Sequence, residues 1–206
     1  MKNKELSIVF RSANGAALAA AIGGIVKEIA STYLESKDNS SFIDFVQKHQ
    51  QMLLLALFIV VYKVKSTLDD HKHFGEDKQD EIKSFPQHFG FLFGIFTWIF
   101  QSISALTISK PYQSALLLAI SFALSTVWII IHLDGVKRQE DPSLNTTQLA
   151  MSILRHQWTI ANMIYIVCLI CFAGALDPVI KPGSTILLLI LFITLILDYI
   201  LSRKEK

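Results

Sequence analysis

The chain has 206 residues, 52% of them hydrophobic and 17% charged, and its formal net charge is +2 at pH 7. So large an apolar share excludes an ordinary soluble domain, and so small a net charge gives no reason to expect nucleic-acid binding. The charged residues gather in short stretches between long apolar segments, whereas a soluble protein spreads them along the polar face of each helix. We therefore expect an all-α, polytopic transmembrane helix bundle that forms one domain over residues 1–206.

Six apolar segments predict membrane spans. A helix needs about 20 mainly apolar residues to cross the roughly 30 Å hydrocarbon core. Segments 89–108, 112–132, 158–176 and 185–201 meet this requirement, and proline-containing turns separate most of them. Segments 6–26 and 45–64 are weaker: the first contains Arg11, and the apolar core of the second runs only from 52 to 62. For the second segment, an interfacial or buried helix is the alternative.

The distribution of lysine and arginine predicts the orientation. With six spans, 13 of the 19 basic residues fall on the side of the two termini, if Lys63 is counted with the loop that follows it. Five fall on the other side, and Arg11 lies within the first span. The positive-inside rule then places both termini and loops 65–88 and 133–157 in the cytoplasm. We expect a plasma-membrane protein, and the compact chain favours a bacterial inner membrane.

Polar side chains recur along single faces of the predicted spans, at helical steps of three, four or seven residues. The candidates for a pore lining or polar pathway are Thr97, Gln101, Ser104, Thr107, Ser121, Ser125, Asn162 and Asp198. Serine and threonine can instead bond a carbonyl of their own helix and pack between helices, which is the alternative interpretation. The amides of Gln101 and Asn162 need partners outside their own helix.

The first span consists largely of alanine and glycine. Ala16, Ala20 and Gly24 follow each other at steps of four, a spacing that lets another helix approach closely. We predict that they form a helix-packing face, either inside the bundle or at the axis of a homo-oligomer.

The charged residues that we place within the membrane are Arg11 in the first span and Asp198 in the last. With both termini inside, the two residues share the inner half of the bilayer. Because pairing offsets much of the cost of a buried charge, we predict an Arg11–Asp198 charge pair, within or between subunits. The alternative is that each side chain reaches the headgroups.

The sequence contains no signature of catalysis or of a cofactor. A P-loop, a nucleophile elbow, an H-E-x-x-H motif and a potassium-filter motif are all absent. His71 and His73 are two residues apart and point to different sides of a helix, so we expect no metal site. We therefore expect neither an enzyme nor a cofactor.

These observations favour a homo-oligomeric ion channel or membrane-permeabilising effector, gated from the cytoplasmic side. One alternative is a small secondary transporter with an intramembrane site at Asp198, Arg11 and Gln101, although no mid-helix proline breaks the spans as transporters often require. A second alternative is a non-conducting interaction module. The expected partners are the lipid bilayer, further copies of the chain, and a cytoplasmic ligand or protein acting on loop 65–88.

Overall fold

A computed structural model describes the backbone of residues 3–36, 41–73, 85–175 and 184–204, and the side chains of 12–36, 41–68, 92–138, 141–174 and 185–203. Over this part of the chain the backbone forms eight α-helices and no strands. In chain order they are α1 (Asn3–Ser36), α2 (Phe42–Lys48), α3 (Gln50–His73), α4 (Phe85–Leu106), α5 (Pro111–Glu140), α6 (Thr146–Leu154), α7 (Gln157–Ala175) and α8 (Ser184–Lys204).

Five helices contain segments long and apolar enough to cross a membrane, among the residues described. They are Ser12–Ser36 in α1, Gln50–Leu68 in α3, Pro111–Arg138 in α5, Gln157–Gly174 in α7 and Thr185–Arg203 in α8. Helix α4 adds a shorter apolar segment, Leu92–Leu106. Since a helix satisfies its backbone hydrogen bonds internally, several such helices are what a multi-pass membrane protein requires.

The predicted second span, 45–64, is divided between two helices. Ser41 caps α2 through a reciprocal capping box with Asp44, and His49 ends that helix. The hydroxyl and the backbone N–H of Ser41 donate to the Asp44 carboxylate and lower its pKa. Helix α3 then begins at Gln50 and continues well beyond residue 64. It extends so far because Lys63 and Lys65 are buried within the bundle and do not end the span.

The six long helices pack in a closed ring. Its order is α1, α4, α5, α7, α8 and α3, with α3 contacting both α8 and α1. Helices α4 and α5 form an antiparallel hairpin, because Lys110 and Pro111 allow only a short turn between them. Helix α3 also reaches across the ring to α5. The interior of this helix ring is therefore formed by the residues of a single chain.

An aromatic cluster occupies the centre of the ring. It comprises Phe58 and Tyr62 of α3, Phe122 of α5, Tyr165 of α7 and Phe192 of α8. The ring centroids of Tyr62 and Phe122, and those of Phe122 and Tyr165, lie 4.7 Å apart. These are favourable distances for aromatic pairs. The cluster fills the space between four helices with side chains.

Helix α1 packs mainly against α4, and glycine permits the closest approach. A Cβ atom added to Gly24 would lie 2.8 Å from Leu106 Cδ2, whereas one added to Gly23 would meet nothing within 4 Å. Ala16 and Ala20 are exposed. Together with α4, they line an open apolar groove of about 350 Å³. Gly24 thus lies at an interface within the chain, and the rest of the predicted small-residue face points outward.

Candidate functional site

A buried ion pair joins α3 to α8. Lys65 Nζ donates to Asp198 Oδ2, and both side chains are less than a tenth exposed. Tyr62 lies three residues before Lys65 on the same side of α3, so the pair is adjacent to the aromatic cluster. Asp198 follows the buried Thr194 by one helical turn of α8. The pair therefore links α3 to α8 at one of the two contacts by which α3 completes the ring.

A second lysine of α3 is buried on the opposite side of the helix. Lys63 is 0% exposed, and its Nζ donates to Asn14 Oδ1 of α1 at 3.2 Å. The same nitrogen lies 5.4 Å from the ring centroid of Trp98 of α4, within range of a cation–π interaction. Residues two apart on a helix point in different directions, so α3 directs one lysine to each of its two neighbours in the ring.

The two lysines do not adopt the arrangement usual for lysines near the end of a span. Such lysines extend their flexible chains to the headgroups and keep the ammonium group in water. A helical side chain leans towards the N-terminus of its own helix, which for Lys63 and Lys65 means towards the middle of α3. Burial of charge there costs free energy that only polar partners offset. Helices α1, α4 and α8 supply those partners.

Polar faces of α4 and α5 meet along the hairpin. The Ser104 and Ser114 hydroxyls lie 3.0 Å apart, and each also donates to the other residue's carbonyl oxygen. Thr97 and Ser121 donate instead to carbonyls of their own helices. This seam is therefore largely satisfied by helix packing, as the alternative interpretation of these residues expects.

The amide of Gln101 lies on the same face of α4 and is 1% exposed. Its Oε1 atom has no hydrogen-bond partner among the residues that the structure describes. By contrast, Asn162 of α7 is buried, and its Nδ2 donates to the carbonyl oxygen of Phe122 at 3.5 Å. The two amides singled out from the sequence thus differ, since only Asn162 bridges two helices.

Most of the predicted pathway residues are buried inside the ring. Thr97, Gln101, Ser104, Ser121, Ser125, Asn162 and Asp198 are all less than a tenth exposed. Thr107 lies beyond the end of α4, in the turn, where its hydroxyl donates to the Ile103 carbonyl oxygen. None of the buried residues belongs to an outer face of the bundle.

The predicted Arg11–Asp198 pair lies partly outside the described residues. Arg11 is within the helical backbone of α1, but its side chain is outside the described part. Among the described side chains, Lys65 forms an ion pair with Asp198. The arginine pair remains a prediction, as does a partner for loop 65–88, most of whose residues also lie outside the described side chains.

Sequence reasoning missed both buried lysines and Asn14. Lys63 and Lys65 were assigned to the loop because they follow an apolar core that ends at Tyr62. A signal for their place in the helix is present in the sequence. Val64 lies between the two lysines and Leu68 follows them, so the helical spacing of apolar residues in α3 continues past Lys63 and Lys65.

The chain was compared with family models, with curated proteins and with solved structures, and none of the three comparisons gave a match. Within the described part of the chain, no three histidine, cysteine or acidic side chains lie close enough together to hold a metal ion.

Proposed function

We propose that the protein is a membrane transport protein that moves an ion or a small charged solute through the interior of the single-chain bundle. The observation that carries the proposal is the Lys65–Asp198 ion pair beside the central aromatic cluster. Charged groups inside membrane-spanning helices are rare, and they commonly mark the paths of ions and substrates. The proposal is for transport and not for catalysis.

The polar groups support a path inside one chain. A pore at the axis of an oligomer needs polar side chains on an outer helix face, whereas the buried lysines, Asp198 and Gln101 belong to the ring's interior. In this proposal, six spans, including α4, place both termini in the cytoplasm. Lys63 and Lys65 then lie in the inner half of the membrane, below the aromatic cluster.

The aromatic cluster supplies the barrier in this proposal. The ring of Phe122 contacts both Phe58 and Tyr62, with centroid distances of 6.4 Å and 4.7 Å. Movement of α3 would shift Tyr62 and Lys65 together, since the two residues lie on one side of that helix. Breaking or exchanging the Lys65–Asp198 contact would therefore be coupled to opening of the barrier.

A homo-oligomeric channel is the second candidate, and one observation favours it. The outward face of α1 exposes Ala16, Ala20 and Gly23, whose small side chains permit close helix approach by another copy. In that case the conducting path would lie between subunits, at α1.

Flux measurements on proteoliposomes test the first candidate. We expect the wild-type protein to carry protons, potassium or chloride faster than empty liposomes, followed with pyranine or ion-selective electrodes. Asp198→Asn and Lys65→Gln should each lower that flux at least about tenfold, because the proposal places both charges on the path of the transported ion. Asp134→Asn is the matched control, because it removes a carboxylate from an exposed ion pair with Arg138.

The same preparation separates the two candidates. If flux runs at the subunit axis, Ala20→Leu should abolish both assembly and flux while Asp198→Asn leaves flux unchanged, with assembly measured by light scattering. A wild-type rate equal to that of empty liposomes for all three ions would contradict conduction of these ions by either path. Gel filtration of each variant establishes that it is folded.

A further inference from the structure

Helix α6 presents two different faces. Leu149 and Ile153 are buried against Ile129 and Leu133 of α5, in a small cluster completed by Trp128 and Trp158. The opposite side carries Met151 and Leu154, which are 45% and 53% exposed. An amphipathic helix that packs one apolar face on its neighbour usually presents polar residues on the other face. Helix α6 instead has apolar side chains on both faces.

The depth of α6 follows from α5. Ile129 and Leu133 lie about 27 and 33 Å along α5 from Pro111, at 1.5 Å per residue. The hydrocarbon core is roughly 30 Å thick. With Pro111 taken as the opposite edge of that core, α6, which packs on these two residues, is placed at the boundary between the acyl chains and the headgroups.

Basic residues lie at the ends of the helices on either side of this face: Lys137 is in the last turn of α5, and Arg155 is the C-cap residue of α6. The charged side chains described in this region are Asp134, Lys137, Arg138, Asp141 and Arg155. Arg138 pairs with Asp134, and Asp141 accepts hydrogen bonds from Ser143. Lys137 and Arg155 have no ion-pair or hydrogen-bond partner within the described residues, so the two cations are available to an external anion.

We propose that α6 lies in the membrane surface and that Lys137 and Arg155 bind the phosphate groups of anionic phospholipids. Met151 and Leu154 enter the upper acyl region, and Arg155, the next residue of the chain, lies on the neighbouring, polar side of the helix. Buried apolar area and attraction to anionic lipid act together in such helices. The surface is independent of the transport path, since it lies outside the ring.

Depth-dependent quenching tests the apolar contact. In the full chain, with Cys168→Ala and Cys171→Ala, a bimane label is placed at Leu154→Cys or at Arg155→Cys, and the protein is reconstituted in lipids brominated on the acyl chain. We expect stronger quenching at position 154 than at 155. Equal quenching at the two positions overturns the proposal. A disulfide between two copies of the unlabelled Leu154→Cys protein also overturns it, since it would mean that this face contacts protein.

The charge contact is tested with the native cysteines in place. Adding phosphatidylglycerol to detergent micelles that contain phosphatidylcholine should raise the thermal midpoint of the wild-type protein. Arg155→Gln should weaken the apparent affinity for phosphatidylglycerol about fivefold, the factor equivalent to about 1 kcal/mol per basic residue at an anionic surface. Lys27→Gln is the control. Lys27 lies towards the outer end of α1, on the side of the membrane opposite to α6 in the six-span arrangement, so this variant should leave the affinity unchanged. An unchanged affinity in Arg155→Gln overturns the proposal.

Discussion

At the residue scale, the fold depends on polar side chains that only other helices can satisfy. Lys65 and Asp198 come from helices that meet where the ring closes, and each is buried. The free energy of such a pair is asymmetric. Loss of one partner leaves a buried charge, whereas replacing both with apolar residues removes the desolvation cost as well.

A double-mutant cycle measures this asymmetry. We expect Lys65→Met and Asp198→Leu each to lower the free energy of unfolding by about 3–5 kcal/mol, and the double variant to lose much less than their sum. Unfolding in mixed detergent and SDS micelles, followed by circular dichroism, gives the three values. Additive losses would mean that the two side chains stabilise the bundle independently of each other.

At the element scale, α1 is joined to the bundle along one narrow line. Its apolar segment, Ser12–Ser36, is the least buried of the candidate spans, and its many alanine and glycine residues contribute little packing area. Gly24 allows Leu106 of α4 to approach the backbone, and Ser102 donates to the Ala17 carbonyl oxygen at 3.4 Å. Helix α1 is therefore held by close approach at a few points and not by interdigitated large side chains.

Neighbouring glycines offer a matched test of that contact. Gly24→Val should destabilise the protein by about 1–3 kcal/mol through overpacking against Leu106, since even a Cβ atom there lies 2.8 Å from it. Gly23→Val introduces the same side chain one residue earlier, where nothing lies within 4 Å, and should change stability little. Thermal unfolding midpoints of the two variants make the comparison. Equal losses would indicate a general effect of valine in α1.

At the scale of the whole molecule, α4 decides the topology. Helix α4 has 22 residues, of which the described apolar segment begins at Leu92. It packs between α1 and α5, as each of the other long helices packs between two neighbours in the ring. We predict that it spans the membrane, which makes the number of spans even.

Two exposed serines test this prediction. Ser31 lies near the end of α1 and Ser143 lies between α5 and α6, so the helices α3, α4 and α5 separate them. In a chain without native cysteines, Ser31→Cys and Ser143→Cys should react with an impermeant maleimide from opposite sides of oriented membrane vesicles. Labelling from the same side would mean that α4 does not cross.

Local sequence was sufficient for the class of the protein and for most of its helices. Long apolar runs bounded by proline, such as 112–132, specify spanning helices without reference to any distant residue, because transfer into lipid depends on local hydropathy. Polar faces were also predictable, since helical spacing alone places Thr97, Gln101 and Ser104 together. Their burial is seen in the fold, whereas a role in conduction remains a prediction.

Tertiary structure alone decided which charges are buried. Lys63 and Lys65 have the composition of a loop start, and their burial depends on Asn14 and Asp198, which lie 49 and 133 residues away along the chain. A lysine enters a membrane-embedded interior only when such partners offset its desolvation. No local pattern encodes that balance, because it is formed by the closing of the helix ring.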